Sequence, residues 1–173
     1  MKKYELTEET FTVFGKTLYR IRAVRDFGSV KTGEFGGYIE KEENLSHFGN
    51  AWIYGDAWVY GDARVSGNAW IYGDARVFGN ARVSGNARVY GNAEVFNTRH
   101  FFVQGPIGSR DGYVTFYRTK DDTVEVRCGC FSGSLQEFVN QVEETHGGSR
   151  YEKEYKLAAE LAKVCIRLEG ESR

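Results

Sequence analysis

The chain reads as a mainly β protein: a parallel β-helix wound from hexapeptides at eighteen residues per coil, followed by a small α+β domain of order β-β-β-α-α. Three observations predict this. WIYGDA occupies both 52–57 and 70–75, and RVSGNA both 64–69 and 82–87. From Gly49 to Gly91 a glycine stands at every sixth position, followed each time by Asn or Asp and then Ala, with Ile or Val two residues beyond that alanine. After residue 97 the repeat stops, and strand-like runs lead into two capped helical patterns. A fixed short period of this kind marks a solenoid.

Taken in order, residues 1–27 alternate in places, as at Phe11 and Val13, and turn at Gly15-Lys16, so they read as strands that cap one end. Residues 28–48 look like a degenerate first coil, in which Leu45 takes an alanine slot and His47 an inward slot, and the helix domain runs over 28–97. Within each hexapeptide the β-branched residue points inward while its neighbours point outward. Gly then accepts the positive φ of a corner, Asn or Asp tolerates it, and Ala fits inside the bend. Three such sides close one coil.

The final segment, 98–173, carries strand candidates at Phe101 to Gln104, Tyr113 to Thr119 and Thr123 to Cys130. A first helix starts at Ser134 with Glu137 at capping-box spacing, places Leu135, Phe138, Val139 and Val142 on one face, and stops at Gly147-Gly148. Ser149 and Glu152 cap a second, whose stripe is Tyr151, Tyr155, Ala158, Leu161, Ala162 and Cys165.

Composition bounds the partners. A formal charge of −1 over 173 residues gives no reason to expect general nucleic-acid or membrane binding. No apolar run is long enough to cross a bilayer and the first residues lack a signal-peptide core. Three cysteines cannot all pair within the chain, which points to reduced thiols and the cytoplasm.

Residues eighteen apart stack into outer ladders. Side one carries Trp52, Trp70 and Arg88 beside Tyr54, Tyr72 and Tyr90; side two carries Trp58, Arg76 and Glu94 beside Tyr60, Phe78 and Phe96; side three carries Arg64 and Arg82 beside Ser66 and Ser84. Two aromatic walls need cover, either from the C-terminal domain or from neighbouring subunits. They also offer planes for stacking a base, with arginines for phosphate. In the C-terminal domain the glycine-rich 105–110 segment ends in Ser109 and Arg110. Thr115, Tyr117 and Arg118 lie on the next strand, and Ser132 and Ser134 precede a helix whose N-terminus can favour an anion. The candidate ligand-binding set is therefore Arg110, Arg118, Ser109, Thr115, Tyr117, Ser132, Ser134, Trp70, Tyr72 and Arg88. Cys128 and Cys130 with His146 and Cys165 have poor spacing for zinc, and a Cys130/His146 nucleophile pair is weaker still, so no metal, cofactor or catalytic residue is assigned.

The Gly-Asn/Asp-Ala-x-Ile/Val-x register over 44–97 resembles the hexapeptide repeat of left-handed parallel β-helices, best known from trimeric acyltransferases. That resemblance implies left-handed winding and a homotrimer. It does not extend to the acyltransferase chemistry: residues 49–97 contain no histidine and no projecting loop, which leaves His47 at an inward slot and His100 just past the last coil. The whole chain also resembles phage and prophage proteins through Leu-Tyr-Arg-Ile-Arg-Ala at 18–23, Gly-Gly-Tyr-Ile-Glu at 36–40, Gly-Ser-Arg at 108–110 and Cys-Gly-Cys-Phe-x-Gly at 128–133. That implies a small accessory protein of a kind that traps nucleotide signals to counter host defence.

The expectation is thus a non-enzymatic trimer that sequesters a small anionic, nucleotide-type ligand, such as a cyclic nucleotide or an ADP-ribose derivative. A structural or protein-binding scaffold and an acyltransferase built on His100 are the competing readings.

Overall fold

A computed structural model of the chain describes residues 1–169. The hexapeptides form a β-solenoid whose sides are two-residue strands: Trp52–Ile53 (β4), Trp58–Val59 (β5), Arg64–Val65 (β6), Trp70–Ile71 (β7), Arg76–Val77 (β8), Arg82–Val83 (β9), Arg88–Val89 (β10) and Glu94–Val95 (β11). They stack in parallel with partners eighteen residues apart: Trp52 on Trp70 and Trp70 on Arg88, Trp58 on Arg76 and Arg76 on Glu94, Arg64 on Arg82. Every inward Ile or Val from Ile53 to Val95 is wholly buried, as are the corner alanines from Ala51 to Ala87. All eight corner glycines have φ between 60° and 70°, where a side chain would be strained.

Within each parallel pair the outward-facing residues donate their N–H to the next coil, as in Trp52 N to Ala69 O at 3.0 Å and Trp70 N to Ala87 O at 2.9 Å, while corner alanines such as Ala57 donate within their own coil, here to Tyr54 O at 3.3 Å. Along this set of bonds the first coil keeps carbonyls without a coil partner and the last coil keeps N–H groups, and both must be satisfied where they are buried.

The N-terminal segment answers the first need. Strands Tyr4–Val13 (β1), Lys16–Ala23 (β2) and Phe35–Ile39 (β3) pair antiparallel, and β3 joins side two by pairing parallel with β5, which makes one six-stranded sheet from β1 to β11. The buried Lys3 donates from Nζ to Ala51 O at 2.7 Å, and Tyr4 from its hydroxyl to Leu45 O at 2.8 Å. Asn44 Nδ2 supplies Gly61 O and Ala63 O at 3.0 and 2.8 Å. Burial, with Arg25 nearby, lowers the Lys3 ammonium from 10.5 to about 8.

The first coil departs from the expected register. Leu45 pairs with Val65 across twenty residues, not eighteen, so it fills an inward slot and not an alanine slot. Two extra residues therefore widen the next corner, and His47 is pushed out of the inward slot to stack on Tyr4 at 4.3 Å between ring centroids. Phe48 in the same corner is exposed.

The C-terminal domain has four strands, one more than expected: Phe101–Ile107 (β12), Gly112–Arg118 (β13), Val124–Cys128 (β14) and Phe131–Ser134 (β15), in sequential antiparallel order. The added strand arises because Gly129, at φ 57°, turns the chain back before the helix. Helices Leu135–His146 (α1) and Arg150–Cys165 (α2) pack on one face around Val114, Phe116, Val126, Phe138 and Ala159. Ser134 caps α1 in a reciprocal box with Glu137, and Ser149 caps α2. Leu161, expected in the α2 stripe, is exposed together with Leu157 and Val164, and Ala159 is buried in its place. The other face of the sheet, through Tyr117, packs on the solenoid core.

This docking also answers the need of the last coil for acceptors. Arg88 N donates to the Thr115 hydroxyl at 3.0 Å, and Phe96 N to His100 Nδ1 at 3.4 Å. Within the chain the aromatic walls are covered at the first coil and stay half-buried along Trp70, Tyr72, Phe78, Tyr90 and Phe96. Trp52 is wholly buried beneath Tyr4 and Phe27, Phe11 lies on Trp58, and the Tyr54, Tyr72 and Tyr90 rings stack face to face at 4.3 and 4.4 Å. No helix among the described residues is long and apolar enough to cross a membrane.

Candidate functional site

A cleft of about 830 Å³ opens where the last coil meets one end of the C-terminal sheet. Asn86 and Arg88 come from the coil; Ser109, Arg110, Gly112 and Tyr113 from the β12–β13 turn; and Arg127 through Phe131 from the β14–β15 turn. Phe138, Gln141, Val142, Thr145 and His146 of α1, with Tyr155 of α2, complete it. The size falls in the range of small-molecule sites.

Its electrostatics are one-sided. Three arginines line the cleft, no Asp or Glu does, and none of the three makes an ion pair among the described residues. Arg127 sits on β14 opposite Thr115 of β13, facing the solenoid, and its guanidinium lies over Tyr90 at 4.4 Å, at the end of the tyrosine stack. Its Nε is buried without a hydrogen-bond partner. Arg88 lies over Trp70 at 4.2 Å. Aromatic faces hold both guanidiniums without neutralising them, so their N–H groups remain available to an anion.

The opposite wall is neutral. Burial first, and then neighbouring Cys128, push the Tyr155 phenol up to about 12, and burial likewise raises the Cys128 thiol. The ring of His146 stacks on Tyr155 at 5.6 Å. Gly108 is required here, because a Cβ at that position would stand 1.9 Å from the Tyr155 hydroxyl oxygen. That close approach brings Ser109 and Arg110 over the cleft.

Of the residues expected from sequence, Arg88, Ser109 and Arg110 line this cleft. Trp70 and Tyr72 lie in the half-buried ladders outside it and contribute by carrying Arg88 and by continuing the tyrosine stack. Thr115 and Tyr117 are buried against the solenoid, the first holding the Arg88 N–H. Arg118 is only 2% exposed and pairs with Glu94, Asp122 and Glu169 at 3.2, 2.8 and 3.1 Å, so its charge is already matched. Ser132 lies outside the cleft, and Ser134 is engaged as a cap: Glu137 accepts the Ser134 N–H at 2.7 Å, which closes that helix start to an outside anion. Arg127 and Tyr113 were missed. Strand alternation carried the signal for Arg127, since it falls opposite Val126 on the face that also bears Glu125.

The alternative chemistries find no comparable site. His100 is buried and held near 4, chiefly by desolvation and then by Arg118, and its Nδ1 serves Phe96. A general base needs reach and a pKa nearer neutrality. Among the described residues no three His, Cys, Asp or Glu side chains converge to hold a metal.

The family model described as the YdcK beta-solenoid repeat matches residues 57–73, 69–85 and 81–97. The chain is similar to that repeat over its regular coils, and the matches stop short of both the N-terminal cap and the C-terminal domain that forms most of the cleft. A search of curated proteins found no match.

Proposed function

We propose that this protein is a non-enzymatic β-solenoid that sequesters a small anionic, nucleotide-type ligand in the cleft between its last coil and its C-terminal sheet. The observation that carries this reading is the trio Arg88, Arg110 and Arg127, without carboxylate partners among the described residues, one with a buried Nε unpartnered there. An anion there gains charge-assisted, two-pronged hydrogen bonds, which are about twice as strong as neutral ones. A single chain supplies every lining residue, so the reading needs no second subunit, although a trimer of such chains would present three equal clefts. On the phage resemblance the ligand would be a host nucleotide signal, and stoichiometric trapping would be the mechanism.

The test is thermal stability against a panel of cyclic nucleotides, ADP-ribose derivatives and acyl-CoA. A ligand at a hundred times its dissociation constant adds about 2.7 kcal/mol, and Arg127→Ala should abolish that gain while leaving the unliganded melting temperature nearly unchanged. If no nucleotide raises the melting temperature, the reading fails and the solenoid stands as a scaffold.

A further inference from the structure

The cleft is two chemically different spaces joined around the edge of one sheet. Arg127 belongs to the solenoid-facing side of β14 and rests on Tyr90, whereas Cys128, the next residue, belongs to the helix-facing side with Phe131, Phe138 and Tyr155. Successive residues of a strand point to opposite faces, so Arg127 and Cys128 are sorted to opposite sides by the backbone itself. At the solenoid side the lining is cationic and lacks carboxylates. At the helix side it is flat and aromatic, with Arg110 near Tyr155 at its rim and the exposed Gln141 and Thr145 of α1 at its margin, joined to each other by a 3.0 Å hydrogen bond.

A bare phosphate would fill only the first space and a bare nucleoside only the second. A volume of about 830 Å³ exceeds what a phosphate alone can use. Resting on the reading that the cleft holds an anion, we propose that it takes a nucleoside phosphate in one fixed sense, with the phosphate on Arg88, Arg110 and Arg127 and the base against Phe131, Phe138 and Tyr155. The base end has polar margins in Gln141 and Thr145, which can meet the edge of a heterocycle, so an aliphatic anion of equal charge is a poorer occupant. Stacking on aromatic faces tolerates any base, so purine and pyrimidine nucleotides should differ less from each other than either differs from inorganic pyrophosphate.

The experiment is calorimetric titration of the full chain with adenosine 5′-monophosphate, adenosine and inorganic pyrophosphate, repeated on two variants at exposed positions. Arg110→Ala should weaken both adenosine monophosphate and pyrophosphate at least tenfold. Thr145→Trp, which fills the base end from the helix surface, should weaken adenosine monophosphate at least tenfold and leave pyrophosphate within twofold; an unchanged melting temperature will show that the helix tolerates it. Nucleotide binding that survives Thr145→Trp but not Arg110→Ala would overturn the orientation and leave the anion site intact. Failure of all three compounds to bind the unaltered protein would remove both.

Discussion

The two ends of the solenoid face opposite problems and are closed by opposite chemistries. At the N-terminal end the first coil presents carbonyls, and donors close it: the Lys3 ammonium on Ala51, the Tyr4 hydroxyl on Leu45 and the Asn44 amide on Gly61 and Ala63. At the C-terminal end the last coil presents N–H groups that acceptors close, the Thr115 hydroxyl under Arg88 and the His100 ring under Phe96, beside the Asn92 and Glu94 carbonyls, which take Lys120 N and Arg118 Nη1. The difference follows from the set of bonds in which the outward-facing residues of one coil donate to the next. It shows that a cap must match the polarity of the end it covers as well as its shape.

Arg118 should give the largest effect at the C-terminal end. It ties Glu94 of the last coil to Asp122 and to Glu169, whose carboxylates stay partly open to water, and losing its charge-assisted hydrogen bonds and buried stem costs about 3 kcal/mol. Arg118→Ala should therefore lower urea stability by that amount and weaken ligand binding only through unfolding. A fully stable Arg118→Ala protein would break the view that this end is closed by a matched charge cluster.

Next in size is the response to pH, where both caps carry a titrating group that the fold keeps from being protonated. His100 falls from 6.5 to about 4 in the folded chain. The unfolded chain therefore binds a proton first, and stability should drop as pH falls from 6.5 towards 4, by roughly 2–3 kcal/mol. Lys3 falls from 10.5 to about 8, so stability should rise as pH is raised through that interval. His100→Gln, which keeps an acceptor for Phe96, should flatten the acidic slope and leave the alkaline one. An unchanged acidic slope would show that His100 does not carry it.

The smallest effects compare the two caps bond for bond. Thr115→Val keeps the shape but strands the Arg88 N–H, at a cost of about 1–3 kcal/mol. Lys3→Met leaves carbonyls under-satisfied but removes a buried charge, so it should cost only about 1 kcal/mol. If chemical denaturation ranks Lys3→Met as the worse of the two, the donor end matters more to the fold than the acceptor end.

The coils were legible because each hexapeptide solves its own geometric problem with its own residues. Gly, Asn or Asp, Ala and the inward Ile or Val recur where the bend and the core require them. The helices were legible for the same reason, through Ser134 with Glu137 and through Ser149. What could not be read depends on distant pairs. Lys3 meets Ala51 across forty-eight residues, and no local pattern distinguishes it from a solvated lysine. Leu45 sits one slot away from where counting by eighteen puts it, because two residues were added in a corner that carries no repeat of its own. In the site, Arg110 stood out beside its glycines, while Arg118 was expected to hold the ligand and Arg127, also a strand arginine, was not named. Only the position of Glu94, Asp122 and Glu169 at one end of the sheet separates a neutralised cation from an available one.

A prism of stacked coils with bare ends would be its own seed, since the acceptor face of one copy fits the donor face of the next, and growth would then depend on concentration. Lys3 and Thr115 occupy those faces. They make the length of the prism a property of the sequence and not of the amount of protein present.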